Sequence, residues 1–390
     1  MPHGQPLALE WSDRAGTLVL YRIDPRTLRL HDGLPLGMRS ATHWDVSPDG
    51  KSLLVSSSKG QVRVVDLQRW RTTLRKRLGI RAVFDAAWVA DDAAILVKVG
   101  RGETGLVRLR PSTGTVLDFE TVVGTAFTSV DAGRGVVLLA YAEDAPLRAR
   151  PHPATLAAMD ASGRFVTSRV EEIPAGHYRR DGDDFSARAL PALAVEGSRA
   201  TVVTTDGNVV SVDLTDLDVT VEGEDRSLFD ELAAWFAPPA YAKTLDGTQL
   251  RAEWASPDAL LVSGYRTAAS RGPRAVTEPL GAVLLDADDW SATVVDEDAN
   301  GARMADGLLL AWNVFMIGDE RREGIGLRAY ESDGELAWHV LEGQFVHMVG
   351  VHGDVAFVQH GWHRVLVSSV DLRTGDVLQT RDTTPVILSS

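Results

Sequence analysis

The chain has no cysteine among its 390 residues. That absence excludes disulfide staples, thiol nucleophiles, cysteine-held iron–sulfur clusters and cysteine-ligated zinc together. An excess of positive charge is missing as well: 40 Lys and Arg stand against 54 Asp and Glu, a formal net charge of -14. A nucleic-acid or anionic-lipid surface needs a basic stripe, so neither partner is expected. Long apolar runs are absent too. The longest, residues 135–142, falls far short of the roughly 20 residues that span a bilayer. Residues 1–6 show no basic stretch leading into an apolar core, as a secretory signal would. The expectation is an acidic, soluble monomer, cytoplasmic by default and extracytoplasmic if a leader was removed.

What is present is a repeat. Around Ser47-Pro48-Asp49-Gly50-Lys51, residues 42–76 read as four short strands joined by tight turns. The last turn of that unit recurs as Asp24-Pro25-Arg26-Thr27, Asp66-Leu67, Pro111-Ser112-Thr113-Gly114 and Asp160-Ala161-Ser162-Gly163. It returns as Asp213-Leu214-Thr215-Asp216, Asp286-Ala287-Asp288-Asp289, Glu331-Ser332-Asp333-Gly334 and Asp371-Leu372-Arg373-Thr374-Gly375. Asp and Ser bond their own backbone at turn starts, and Gly takes the positive φ at the end. Copies about 50 residues apart are the period of a propeller rather than of a sandwich.

Seven units look complete, their first strands starting near Thr42, Val83, Ala126, Leu190, Gln249, Ala302 and Phe345. An eighth is split, with residues 6–30 supplying three strands and residues 385–388 the missing inner one. Such closure hides edges that otherwise invite aggregation. The expected fold is therefore all-β: a single β-propeller domain over residues 1–390, of eight four-stranded blades. Seven blades with an accessory hairpin is the alternative. One short helix is expected within an insertion at 226–240, capped by Ser227, running through Leu228 to Phe236 and stopped by Pro238-Pro239.

These turns carry a resemblance. Ser47-Pro48-Asp49-Gly50-Lys51 and Val370-Asp371-Leu372-Arg373-Thr374-Gly375 resemble the bacterial propeller repeats grouped as YVTN-like and TolB-like. The whole chain looks like a group of actinobacterial propeller proteins of unassigned function. That implies a fold and, since the motifs are structural turns, no activity. Tyr330-Glu331-Ser332-Asp333-Gly334-Glu335-Leu336-Ala337-Trp338 is similar to the tryptophan-docking repeat of pyrroloquinoline-quinone dehydrogenases. Asp118, Thr167 and Gln379 hold the Trp position in other copies, so no quinone cofactor is expected. Trp44-Asp45 sits on a first strand, where the tryptophan–aspartate repeat family does not place its pair.

Other motifs weaken on inspection. Gly100-Arg101-Gly102-Glu103-Thr104-Gly105 fits a dinucleotide loop, but the residues after it read as a strand, not the helix that pyrophosphate binding needs. His360 and His363, with His347 and His352 nearby, fall short of a metal's ligand set. Asp181, Asp183 and Asp184 lack the spacing of a calcium loop. There is no G-x-S-x-G nucleophile elbow. No catalytic residue, metal or cofactor is assigned.

Loop length points elsewhere. Second-to-third-strand loops and interblade loops share one propeller face, and there residues 141–153, 171–187, 222–247, 265–281 and 312–324 read as long insertions. Long loops on a rigid scaffold carry binding. They hold Arg148, Arg150, His177, Tyr178, Arg179, Arg180, Tyr265, Arg266, Arg271, Arg274, Arg321 and Arg322. The planar guanidinium fork suits carboxylate and phosphate. The functional expectation is a non-catalytic binding scaffold for an anionic small molecule or an acidic segment of a protein partner. The acids Glu143, Asp144, Asp181, Asp183, Asp184, Asp319, Glu320 and Glu323 share these loops and could instead neutralise the arginines. A propeller hydrolase or lactonase with an axial metal or carboxylate/His site is the alternative.

Overall fold

Short polar side chains folding back on their own backbone set the strand boundaries. At the first complete unit the Ser47 hydroxyl donates to Asp49 Oδ1 at 2.7 Å, and the same carboxylate oxygen accepts the Lys51 N–H at 3.0 Å. Gly50 closes the turn at φ 70°, a conformation a side chain disfavours. The recurring aspartate turns work the same way. Asp24 accepts the N–H groups of Arg26 and Thr27, Asp66 those of Gln68 and Arg69, Asp286 that of Asp288, and Asp371 that of Arg373. The Thr27 N–H, first among these contacts, holds the Asp24 carboxyl below its ordinary pKa.

The computed structural model describes residues 6–47, 49–78, 82–90, 92–99, 103–123, 125–131, 136–142, 153–159, 165–174, 177–181, 184–188, 192–196, 199–204, 208–213, 219–222, 247–269, 275–314, 323–361, 364–382 and 386–388. They form an all-β propeller. Seven blades are continuous antiparallel four-stranded meanders. In order they are blade 1 (β4–β7, residues 43–77), blade 2 (β8–β11, 82–123), blade 3 (β12–β15, 125–174) and blade 4 (β18–β21, 192–222). Blades 5 (β22–β25, 247–296), 6 (β26–β29, 301–340) and 7 (β30–β33, 346–381) follow. The remaining four-stranded sheet joins the chain ends, in the order β3-β2-β1-β34, from residues 7–35 and 386–388.

Neighbouring sheets bury apolar faces between them. Leu54, Val62 and Val64 of blade 1 pack with Trp88, Ala94, Val107 and Leu109 of blade 2. Leu310, Trp312 and Ala329 of blade 6 meet Val349, Ala356, Val358 and Val370 of blade 7. Phe357 and Val367 of blade 7 pack with Ala8, Ile23 and Leu28 of the end-joining sheet, which in turn packs on blade 1 through Leu9 and Leu20. The outermost strand β7 (Arg71–Arg77) is correspondingly polar and alternately exposed. Trp338 also docks across blades: its indole N–H donates to Leu372 O at 2.8 Å, and its ring leaves no room for a Cβ at Gly375.

The expected fold is corrected here. It was eight four-stranded blades with one inserted helix. Among the described residues there is no helix, and residues 226–240 lie outside them. Seven blades are continuous in sequence, and a further two-stranded ribbon, β16 (His177–Asp181) with β17 (Asp184–Arg188), is no part of any four-stranded sheet. That ribbon falls, all but its last residue Arg188, within residues 171–187, expected as loop. Residues 265–269 and 275–281 are not loop either, because β23 (Ala259–Ala269) and β24 (Ala275–Asp286) stay paired up to Ala269 and Ala275. Ladder hydrogen bonds form between any backbones, so a polar hairpin pairs without the apolar alternation that marks a blade strand.

The junction of the chain ends yields a first prediction. β34 (Val386–Leu388) covers the edge of β1 (Leu7–Ser12), with Leu7, Ala8 and Leu9 opposite Leu388, Ile387 and Val386. Removing residues 385–390 uncovers the buried Leu7, Ala8 and Leu9 edge. The expected loss is about 2–3 kcal/mol, lowering the melting temperature by roughly 5 °C in a thermal denaturation scan. An unchanged scan would show that the pairing carries no stability.

Candidate functional site

The face formed by second-to-third-strand turns and interblade connections is uneven. On one side it is raised by blade 5, whose first three strands are β22 (Gly247–Ser256), β23 and β24. Across this extension Gln249 lies opposite Tyr265, which lies opposite Pro279, and Thr248–Arg266–Glu278 form the next row. The register shifts between Gly264 and Tyr265, where β24 contributes an extra residue before Gly281. A bulge of this kind bends a strand pair and raises its twist. Gly281, at φ 85°, ties the bend to the blade's end through its N–H to Ala299 O at 2.9 Å.

The pleat then sorts side chains. Leu250, Ala252 and Trp254 of β22 pack toward blade 4 with Ala192 and Ala194. Arg251, Glu253 and Ala255 alternate to the blade 6 side, where Ala255 meets Ala302 and Met304. Tyr265 shares that side. Its phenol is raised above its ordinary pKa by burial, with the Arg251 charge opposing. Glu253 accepts the Met304 N–H from blade 6. Burial raises its carboxyl, and the Met304 N–H and then Arg303 pull it back.

Glu253 belongs to a series that binds one blade to the innermost strand of the next. Asp45 Oδ2 accepts the Trp88 N–H at 2.8 Å, Ser263 Oγ accepts the Ala302 N–H at 3.1 Å, and Arg303 donates to Val349 O at 3.2 Å. These axial acids are engaged with backbone, which is a fastening role. The histidines are engaged too: His347 Nε2 with Gly361 O at 2.6 Å, His360 Nε2 with Ser368 Oγ at 2.8 Å, and Ser368 Oγ with Thr380 Oγ1 at 2.8 Å. Burial, then His347, lowers the His360 pKa. His363 lies outside the described residues. Among the described residues no group of three His, Asp or Glu is arranged to hold a metal.

The ribbon completes the raised side. β16 lies against β13 (Val136–Ala142) of blade 3, and β17 lies against β22 of blade 5. The ribbon therefore bridges blades 3 and 5. Its register sets His177 opposite Arg188, Tyr178 opposite Ala187, Arg179 opposite Ser186 and Arg180 opposite Phe185. Of the candidate residues, His177, Tyr178, Arg179 and Arg180 therefore occupy one strand of a ribbon beside β22, whose partner strand carries Tyr265 and Arg266. Arg148, Arg150, Arg271, Arg274, Arg321 and Arg322 lie outside the described residues. The expected loop has become a built element, which the sequence did not signal. The axial acids were missed as well; a lone acid in a first strand, as at Asp45 and Glu253, was their visible mark.

Solved structures share this fold. The dihydro-heme d1 dehydrogenase NirN, solved in complex with DHE, aligns at a TM-score of 0.60 and 12% identity, covering 98% of this chain and 74% of its own. AztD from Citrobacter koseri aligns at 0.56 and 10%, covering 98% and 97%. BamB from Moraxella catarrhalis aligns at 0.52 and 11%, covering 92% and 89%. Identities this low carry the fold alone. No family model and no curated protein sequence matches the chain.

Proposed function

We propose that this propeller is a non-catalytic binding scaffold whose raised face takes an anionic small molecule, or an acidic segment of a partner, on arginines. The observation that supports this is the ribbon bridging blades 3 and 5, whose strand β16 carries His177, Tyr178, Arg179 and Arg180 and whose strand β17 lies against β22, the partner of the strand bearing Tyr265 and Arg266. A ribbon hydrogen-bonded along its length holds cationic residues in a fixed register, so less ordering entropy is lost on binding than for a free loop. The proposed site also takes in Arg148, Arg150, Arg271, Arg274, Arg321 and Arg322, which lie outside the described residues. Guanidinium groups bind carboxylate or phosphate in a bidentate way, and tyrosine rings beside them add flat apolar surface.

The test replaces Arg179, Arg180, Arg271 and Arg274 together by Ala. Wild type and variant are screened by thermal shift against a panel of anionic metabolites and acidic peptides. Stabilisation of the wild type that the variant lacks, and that fades as salt rises, is the expected result. Equal responses from both proteins sink the proposal.

A further inference from the structure

Across the ring from the raised side, the junction between the end-joining sheet and blade 1 has short turns and carries none of the residues just named. Its anomaly is Arg63. It sits in β6 (Gln61–Asp66) between Val62 and Val64, and only 9% of it is exposed. Its guanidinium donates from Nε to Leu36 O at 2.7 Å, from Nη2 to Gly37 O at 2.8 Å and from Nη1 to Val62 O at 2.8 Å. Every acceptor is a carbonyl, so the hydrogen bonds are met while, among the described residues, no carboxylate pairs with the positive charge. Buried charges ordinarily carry a counter-charge. Burial, and then the nearby Arg75, accordingly lower the Arg63 pKa from its usual value.

Gly37, whose carbonyl Arg63 holds, is part of one wall of an open cleft of ≈ 420 Å³. Thr17, Gly37, Met38, Arg39, Gln61 and Arg75 line it. Arg75 Nη1 lies 3.9 Å from the position a Cβ would take on Gly37, and at φ 64° that residue favours glycine. The backbone is thereby kept bare under the guanidinium. Neither Arg39 nor Arg75 makes an ion pair among the described residues. Two arginines thus line one cleft of a chain with net charge -14 and a third lies behind its wall, and among the described residues none of the three is in an ion pair. A cleft this size takes a small ligand.

We propose that this cleft is a second anion site, in which Arg39 and Arg75 clamp the phosphate or carboxylate groups of a small organic polyanion. Arg63 acts from behind the wall as a positioning residue: it fixes the Leu36–Gly37 carbonyls and supplies an uncompensated positive field. The Thr17 hydroxyl is already committed to Met38 O at 2.9 Å, so it braces the opposite rim rather than meeting the ligand. The site stands independently of the raised face.

The probes are inorganic pyrophosphate and citrate, each compared with chloride at matched ionic strength. Wild type is expected to melt roughly 2–5 °C higher with millimolar probe. The Arg39→Gln/Arg75→Gln variant changes only exposed side chains and is expected to lose that shift. By isothermal titration it should bind at least tenfold more weakly. The variant lacking Arg179, Arg180, Arg271 and Arg274 should keep the shift, which separates this site from the raised face. An unshifted wild type, a shift retained in Arg39→Gln/Arg75→Gln, or a shift lost only in the quadruple variant overturns the proposal.

Discussion

Replacing Asp296 by Ala is expected to destabilise the protein by about 3 kcal/mol, the lower end of the range for removing one partner of a buried ion pair. Asp296 ends β25 (Ala292–Asp296) in blade 5, and its side chain is only 1% exposed. It reaches into blade 6, where the Tyr330 hydroxyl donates to Oδ2 at 2.8 Å and Arg328 Nη1 lies 3.3 and 3.2 Å from its two oxygens. Truncation leaves a phenol and a guanidinium facing each other across an empty space. Arg328 is 25% exposed and can turn partly to water, which places the effect at the lower end. The neighbouring Asp298, 57% exposed and 3.5 Å from the same nitrogen, is the control. Asp298→Ala should cost less than about 1 kcal/mol. Urea denaturation of the three proteins measures this, and equal midpoints would deny the pair any role in holding blades 5 and 6 together.

The same contact sets a pH dependence. Burial, then the hydrogen bond and charge of Asp296, push Tyr330 up to about 12 from the ordinary 10.0. The folded state therefore keeps a proton that the unfolded state releases. This contribution is complete below pH 10 and is lost as pH rises from 10 toward 12. Tyr330→Phe should be less stable at pH 8 and show a shallower decline through that window.

The aspartate turns were legible because their chemistry is local. Asp24, Asp66, Asp286 and Asp371 each bond N–H groups two or three residues on, so a four-residue window holds the whole cause. The ribbon was not legible. His177-Tyr178-Arg179-Arg180 has no apolar alternation, and pairing with residues 184–188 uses backbone groups common to every sequence. The extension of blade 5 was hidden likewise, because Arg266, Thr267, Thr277 and Glu278 break the apolar run where β23 and β24 continue past the bulge at Gly264. Contacts between blades are harder still. Asp296 finds Tyr330 34 residues on and Glu253 finds Met304 51 residues on, distances set by ring geometry rather than by any period in the residue types. Trp338 shows the reverse case: its tryptophan-docking pattern marked a real interblade contact, on Leu372 and Gly375. Arg63 was readable in principle, as one charge inside an apolar strand, but loop length drew attention to the opposite side of the ring.

Trp88→Ala is expected to be the most damaging single change on blades 1 and 2, at about 3–5 kcal/mol. Trp88 is fully buried, packed by Leu54, Val62 and Val64 from blade 1 and by Ala94, Val107 and Leu109 from its own. It is also fastened by two hydrogen bonds to one residue: its backbone N–H to Asp45 Oδ2 at 2.8 Å, and its indole N–H to Asp45 O at 3.0 Å. Truncation therefore opens a cavity at the blade interface and removes the indole hydrogen bond to Asp45 O in the same step. Trp88→Phe separates the two effects, since it keeps a ring and loses the indole donor. It should recover about half of the loss, leaving about 1–3 kcal/mol for the lost hydrogen bond and the smaller volume. Both values come from equilibrium denaturation followed by far-ultraviolet circular dichroism, which does not depend on the missing indole. Equal costs for Ala and Phe would assign the stability to the hydrogen bond alone, and a cost below 1 kcal/mol for Ala would remove Trp88 from the core of the ring.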